Sequence, residues 1–204
     1  MLNYSPTSAL IVVDLQNDFA DPAGSLSVRG GEEIVGRVND QVQRAVAAGA
    51  PVLYTQDWHP ASTPHFAKDG GIWPVHCVAD TWGADLHPNL IVAGVRIRKG
   101  SNGEDGYSGF RVRDPTTREE RPTELEAMLR ERGVTEVAVC GLATDYCVRA
   151  TALDAARLGF RTTLLTDAVA AVDLAPGDGE RALAEMSGAG ITLETAAPGD
   201  ARGA

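Results

Sequence analysis

The chain has 204 residues, of which 44% are hydrophobic and 23% charged, with a formal net charge of −10. That suits one globular domain able to bury a proper core, and so acidic a chain repels phosphate backbones, which sets nucleic acid aside as a partner. Three cysteines are an odd number and too few for a disulfide framework; with no basic stretch before the first apolar run and no run long enough to span a membrane, the expectation is a cytoplasmic protein with reduced thiols and no membrane partner.

The first apolar run, SALIVVDLQNDF, has a β-branched centre at Ile11 to Val13 and reads as a strand buried on both faces. GEEIVGRVNDQVQRAVAAG follows, with Ile34, Val38, Val42, Ala45 and Val46 at helical spacing and Gly49 as the stop. APVLYTQDWH is a second strand. Pro60 to Pro88 is too long for a plain connection, and such loops in compact domains are usually functional. IVAGVRIRKG reads as a third strand. TELEAMLRERG reads as a helix with Thr123 as N-cap, Glu126 in the capping-box position and Gly133 as the stop. EVAVCG, RTTLLTDAV and ITLET are the remaining strands, separated by the helices DYCVRATALDAARLG and GERALAEMSGAG. The stretches from Asn102 to Gly106 and RVRDPTTREERP read as solvated loop.

Strands alternate with helices almost throughout. The expectation is a single-domain, three-layer α/β fold over residues 1–204, a mostly parallel six-stranded sheet with helices on both faces. The tail, about 197–204, is expected to fray. The oligomeric state is left open, a homo-oligomer among the expectations.

Ligands of open parallel sheets bind beyond the carboxyl ends of the strands. Strand one ends at Asp14, strand two at Asp57, Trp58 and His59, strand three at Lys99, and strand four leads through GLATDY to Cys147 at a helix start. Singly, a strand-end Asp caps a turn, a lysine is solvated and a free cysteine is a small hydrophobe. Their joint arrival at one edge points to chemistry. Cys140 lies inside a strand, where burial leaves a thiol inert. Cys147 sits where a helix N-terminus and a nearby Lys99 favour the thiolate, and Asp14 can take its proton. A sharp turn from Gly141 to Thr144 aims backbone N–H groups outward, as an oxyanion hole requires. Six residues separate the two cysteines, which disfavours a C-x-x-C redox pair.

A second constellation is DWHPASTPHF with WPVHCV. Asp57 and His59 share a strand end, and His65 and His76 come from the long loop. One carboxylate with two or three imidazoles suits a divalent ion such as Zn²⁺, Fe²⁺ or Mn²⁺. Cys77 reads as a buried neighbour, with a soft ligand as the lesser alternative.

VVDLQNDF, QDWHP, WPVHCV, GADLHP, RKG, GYSGF and CGLATDYCV, in that order along nearly the whole chain, resemble the nicotinamidase (pyrazinamidase) branch of the isochorismatase-like cysteine hydrolases. The resemblance implies Asp14, Lys99 and Cys147 as the catalytic triad and Asp57, His59 and His76 as metal ligands, with His65 at a ligand position that only some members use. It implies a cis peptide at Leu142–Ala143, an oxyanion hole from the N–H groups of Ala143 and Cys147, and a pocket for a small aromatic amide lined by Phe19, Trp73, Tyr107, Leu142 and Ala143. The expected reaction is hydrolysis of nicotinamide, with pyrazinamide as a further substrate, through a thioester and with one divalent metal ion orienting the ring. The alternatives are an amidohydrolase of the same superfamily acting on a carbamoyl or maleamate-type acid, isochorismatase chemistry that needs no cysteine, and a non-catalytic scaffold of the same fold.

Overall fold

The computed structural model describes residues 3–195; the tail expected to fray lies outside them. Its central sheet has six strands, β1 (Ser8–Val13), β2 (Val52–Asp57), β3 (Val95–Lys99), β6 (Glu136–Leu142), β7 (Arg161–Ala170) and β8 (Thr192–Glu194), in the order β3-β2-β1-β6-β7-β8. All five pairings are parallel, so the expected fold class holds. The chain runs outward from β1 through β2 to β3, then returns to the other side of β1 as β6. The order therefore reverses between β1 and β6, where open α/β sheets hold their ligands.

The two faces can be read from β1, buried along its whole length. Leu10 and Val12 pack with Val38, Val42 and Ala45 of helix α2 (Val35–Ala47). Ala9, Ile11 and Val13 pack on the opposite face with residues of α3 (Leu125–Glu131), α4 (Arg149–Arg157) and α5 (Asp178–Gly188). Period-2 alternation in the strand and 3.6-period stripes in the helices meet at two cores. Each fully buried Val or Leu contributes about 1.5–3 kcal/mol, so this layer is the rigid base on which the strand ends stand. Gly141 shows how tightly β6 lies against β1. A Cβ there would come 2.1 Å from the Val13 carbonyl oxygen, and its φ of +109° suits glycine.

Several local expectations are corrected. β3 begins only at Val95 and the residues before it run as loop; Gly94 passes so close to β2 that a Cβ there would come 1.8 Å from the Val52 carbonyl oxygen. A short helix α1 (Asn17–Ala20) follows β1. The stretch read as solvated loop contains an antiparallel hairpin, β4 (Arg111–Arg113) and β5 (Glu120–Pro122), turned at Asp114, whose carboxylate accepts the N–H groups of Thr116 and Thr117. The capping box on α3 does not form. Thr123 Oγ1 still accepts the Leu125 N–H at 3.2 Å, but the Thr123 N–H goes to the Phe110 carbonyl and Glu126 pairs along the helix with Arg130. Cys147 lies in a π-helical turn, Thr144–Val148, that runs into α4. Among the described residues no helix is long and apolar enough to cross a membrane.

Candidate active site

Four strand ends meet at the reversal of strand order. Asp14 follows the last residue of β1, Asp57 and Lys99 are the last residues of β2 and β3 and pair across the sheet, and the turn holding Cys147 follows β6. Asp14 takes a left-handed backbone with φ of 44°, a conformation that aspartate tolerates better than most residues and that turns the chain out of the strand. Thr55 lies two residues before Asp57, so both face the same side of β2. Its hydroxyl donates to Asp14 Oδ1 at 2.6 Å. Gln16 grips Asp57 through the main chain, donating to its carbonyl at 2.7 Å and accepting its N–H at 2.8 Å.

Lys99 is the hub. Its buried Nζ lies 2.9 Å from Asp14 Oδ2, pairs closely with Asp57 Oδ1, and stands 3.6 Å from Cys147 Sγ. Acceptor atoms of Asp14, Asp57 and Cys147 all lie within 4.8 Å of one another. Burial opposes the ammonium charge, but Asp14 and Asp57 on either side hold the Lys99 pKa well above its ordinary value. Burial also pushes the Asp57 carboxyl up, yet Lys99, His59 and His76 outweigh it and hold it down at about 2. Asp14 ends on the other side of the balance. Burial raises its pKa, and the ammonium that opposes the rise is shared with Asp57. Burial raises the Cys147 thiol well above the ordinary cysteine range; Lys99 pulls it down, and the two carboxylates push it further up. Cys147 thus stands beside a carboxyl placed to take its proton. Cys140, inside β6, is raised by burial alone, and Cys77 is fully buried too.

Beside this hub lie three imidazoles. Ring nitrogens of His59, His65 and His76 fall within 4.8 Å of one another, so His65 stands as fully in the cluster as the two residues read as firmer ligands. Asp57 Oδ2 is 3.9 Å from His59 Nε2. Neither ring nitrogen of buried His59 has a hydrogen-bond partner, which is costly for a polar group unless something else engages it. Nδ1 packs over Gly100, where a Cβ would come within 2.6 Å, and a positive φ again suits glycine. Burial, against the pull of Asp57, holds the His59 pKa at about 4, so the ring is neutral near pH 7. His76 Nδ1 lies 2.7 Å from the Pro74 carbonyl and His65 Nδ1 2.9 Å from Asp105 Oδ1. Both neighbours are acceptors, which puts a proton on each Nδ1 and turns each Nε2 toward the cluster. Three converging imidazoles, one of them orphaned, with a carboxylate alongside fit a divalent metal ion. Cys77 stays out of the cluster. Its N–H goes to Asp18 and its Sγ faces the Gly83 carbonyl at 3.8 Å.

Asp57 and Cys147 of the hub and the imidazoles of His65 and His76 line one cavity. Phe19, Trp73, Tyr107, Leu142 and Ala143 line it as expected, with Cys147 on the same wall. Trp73 Nε1 donates to the Tyr107 hydroxyl at 3.0 Å, which fixes two aromatic walls together. The Leu142–Ala143 peptide is cis. Sequence reasoning missed Leu26, Val28, Tyr146 and Val172 in the lining. It also missed Asp145, which accepts the N–H groups of Val172 and Asp173 and so ties the loop after β7 to the cysteine turn. Thr55 and Gln16 were within reach of the sequence, by strand alternation and by the motif that holds Asp14. Asp105 carried no such signal.

A parallel sheet with a buried cysteine, lysine and carboxylate at its carboxyl edge, and a cluster of three histidines beside them, is the layout of an α/β cysteine hydrolase. The isochorismatase domain family matches residues 8–198, and the chain belongs to that family. It is 40% identical to the nicotinamidase of Escherichia coli, over 94% of this chain and 96% of that protein. Among solved structures it resembles the pyrazinamidase of Pyrococcus horikoshii in complex with zinc, with 43% identity, a TM-score of 0.83, and coverage of 93% and 99% of the two chains. It also resembles PnC1 from L. infantum in complex with nicotinate, with 37% identity, a TM-score of 0.84, and coverage of 95% and 96%.

Proposed function

We propose that this chain hydrolyses nicotinamide to nicotinate and ammonia, and pyrazinamide in the same way, through a thioester on Cys147. The observation that carries the reading is one cavity floored by Cys147, with Lys99 at 3.6 Å and imidazoles across from it. The zinc-bound and nicotinate-bound relatives support both the metal and the substrate class. The described lining carries no arginine or lysine to clamp a substrate carboxylate, which favours a neutral aromatic amide over carbamoyl or maleamate-type acids. Nicotinate release places the reaction in pyridine nucleotide salvage.

Asp57, His59, His65 and His76 would hold the ion, for which zinc, iron and manganese all have suitable chemistry. When bound, the ion supplies a Lewis-acid site that orients the ring nitrogen of the substrate. The chain's own residues do the rest. Phe19, Trp73 and Tyr107 wall the flat ring. Asp14 takes the proton from the Cys147 thiol as sulfur attacks the amide carbon. The N–H groups of Ala143 and Cys147 hold the oxyanion. Asp14 returns the proton to the leaving nitrogen, ammonia departs and the thioester remains. Asp14 then takes a proton from water as its oxygen attacks the thioester, nicotinate leaves, and the thiol recovers its proton. Lys99 stays charged throughout and holds Asp14 and the sulfur in register. Turnover of nicotinamide, pyrazinamide and maleamate, followed side by side by product chromatography, tests the substrate class. Turnover of both aromatic amides and none of maleamate is expected; the reverse order sinks the reading.

A further inference from the structure

The three imidazoles of the cluster are supported in three different ways. Among the described residues the His59 ring nitrogens have no hydrogen-bond partner, the His76 ring leans on the carbonyl of nearby Pro74, and of the three rings His65 is the one hydrogen-bonded to a carboxylate. That carboxylate belongs to Asp105, forty residues further along the chain. Asp105 is fixed from every side. Its main chain bridges to β4, with its N–H donating to the Arg113 carbonyl at 2.7 Å and the Arg113 N–H returning to its carbonyl at 2.6 Å. Oδ1 accepts the Gly106 N–H at 2.8 Å as well as facing His65, and Oδ2 accepts from Arg113 Nη2 at 3.3 Å. The hairpin β4–β5 thus holds a carboxylate that reaches back to the His65 ring, whose side chain is only 7% exposed.

We propose that Asp105 is the positioning residue that turns His65 into a ligand of the metal cluster, acting through the Nδ1 hydrogen bond and braced by Arg113 and the hairpin. The inference rests on reading the imidazole cluster as a metal centre. His65 lies in the long loop between β2 and β3, where no strand end fixes its ring. A carboxylate can only accept, so it fixes the proton on Nδ1, directs Nε2 into the cluster and makes the ring a stronger donor. The same short segment continues into Tyr107, whose hydroxyl accepts from Trp73 Nε1, so the hairpin sets a ligand and a pocket wall together.

The test is metal binding by the full-length protein. Zn²⁺ affinity is measured by chelator competition, and Co²⁺ loading by the visible ligand-field spectrum, which changes with coordination number. The proteins are the parent, Asp105→Ala, Asp105→Asn, His65→Ala and the double variant Asp105→Ala/His65→Ala, each checked for unchanged circular dichroism. Asp105→Ala is expected to weaken Zn²⁺ about 10- to 100-fold and to shift the Co²⁺ spectrum toward that of His65→Ala. Asp105→Asn, which keeps an acceptor in place, should recover part of the loss. In the His65→Ala background the second substitution should change affinity less than twofold, because Asp105 acts through that ring. Parent-like affinity and spectrum in Asp105→Ala overturn the inference while leaving the metal reading intact. A further fall in affinity when Asp105→Ala is added to His65→Ala also overturns it, since the residue would then act on the fold at large. A parent protein that takes up neither Zn²⁺ nor Co²⁺ overturns the inference and the metal reading together.

Discussion

The cavity has two halves built by different means. The Asp14, Asp57, Lys99 and Cys147 half stands on four parallel strand ends, and its geometry is set by backbone pairing in a sheet whose central strands are buried. In the imidazole half, His59 lies just past a strand end, while His65 and His76 come from a long loop with two short 3-10 turns. Its rings rely on side-chain and carbonyl supports. Strand ends place atoms through the rigidity of the sheet; a loop must be braced residue by residue. The first half should therefore lose chemistry outright when altered. The second should lose metal and substrate placement by degrees.

The sharpest break is in the first half. Cys147→Ala should lower turnover of nicotinamide about ten-thousand-fold or more with the fold intact, measured as kcat beside a circular dichroism spectrum. Asp14→Asn should cost about 10²- to 10⁴-fold, the range of a lost general acid–base. Lys99→Ala should strike both activity and folding, because it strands two buried carboxylates; a loss of about 3–5 kcal/mol in urea unfolding is expected. Removing metal with a chelator should abolish turnover reversibly, with recovery on adding zinc, iron or manganese, and should leave the hub intact. The mildest change tests the sorting of the thiols. Cys140→Ala should cost about 1 kcal/mol of stability and keep turnover within about twofold.

The thiols also give a pH test. Cys147 lines the cavity, whereas Cys77 and Cys140 are fully buried, so a small alkylating agent should label one site in the native protein. Burial holds the Cys147 thiol above its ordinary range. The thiolate fraction, and with it the alkylation rate, should therefore keep rising about tenfold per pH unit from 7 to 9, with no plateau near neutrality. A plateau below pH 7 would show that Lys99 and the helix turn outweigh burial.

The same division explains what the sequence made legible. Apolar β-branched runs ending in Asp14, Asp57 and Lys99 announced both the parallel sheet and its chemical edge, because the alternation of strands with helices and the strand ends follow from pattern. The triad candidates, the imidazoles and the aromatic walls were all reached that way or through the motif resemblance, and the structure brings them side by side, with Cys147, His65, His76 and the aromatic walls lining one cavity. The misses are tertiary. Asp105 was read as solvated loop because no period links a residue after β3 to a ring before it. The hairpin of β4 and β5 is held by local turn chemistry at Asp114 in a stretch too polar to show a strand period. The protonation of Cys147 turns on how many buried carboxylates share Lys99, which spacing along the chain does not encode.

The central claim is that Cys147, and not Cys140 seven residues earlier, attacks the amide from the edge of the sheet. Its most direct test is ammonia release from nicotinamide by metal-loaded parent, Cys140→Ala and Cys147→Ala proteins at equal concentration. The account predicts steady release from the first two and none above background from the third. Release by Cys147→Ala at a rate comparable to the parent would contradict it.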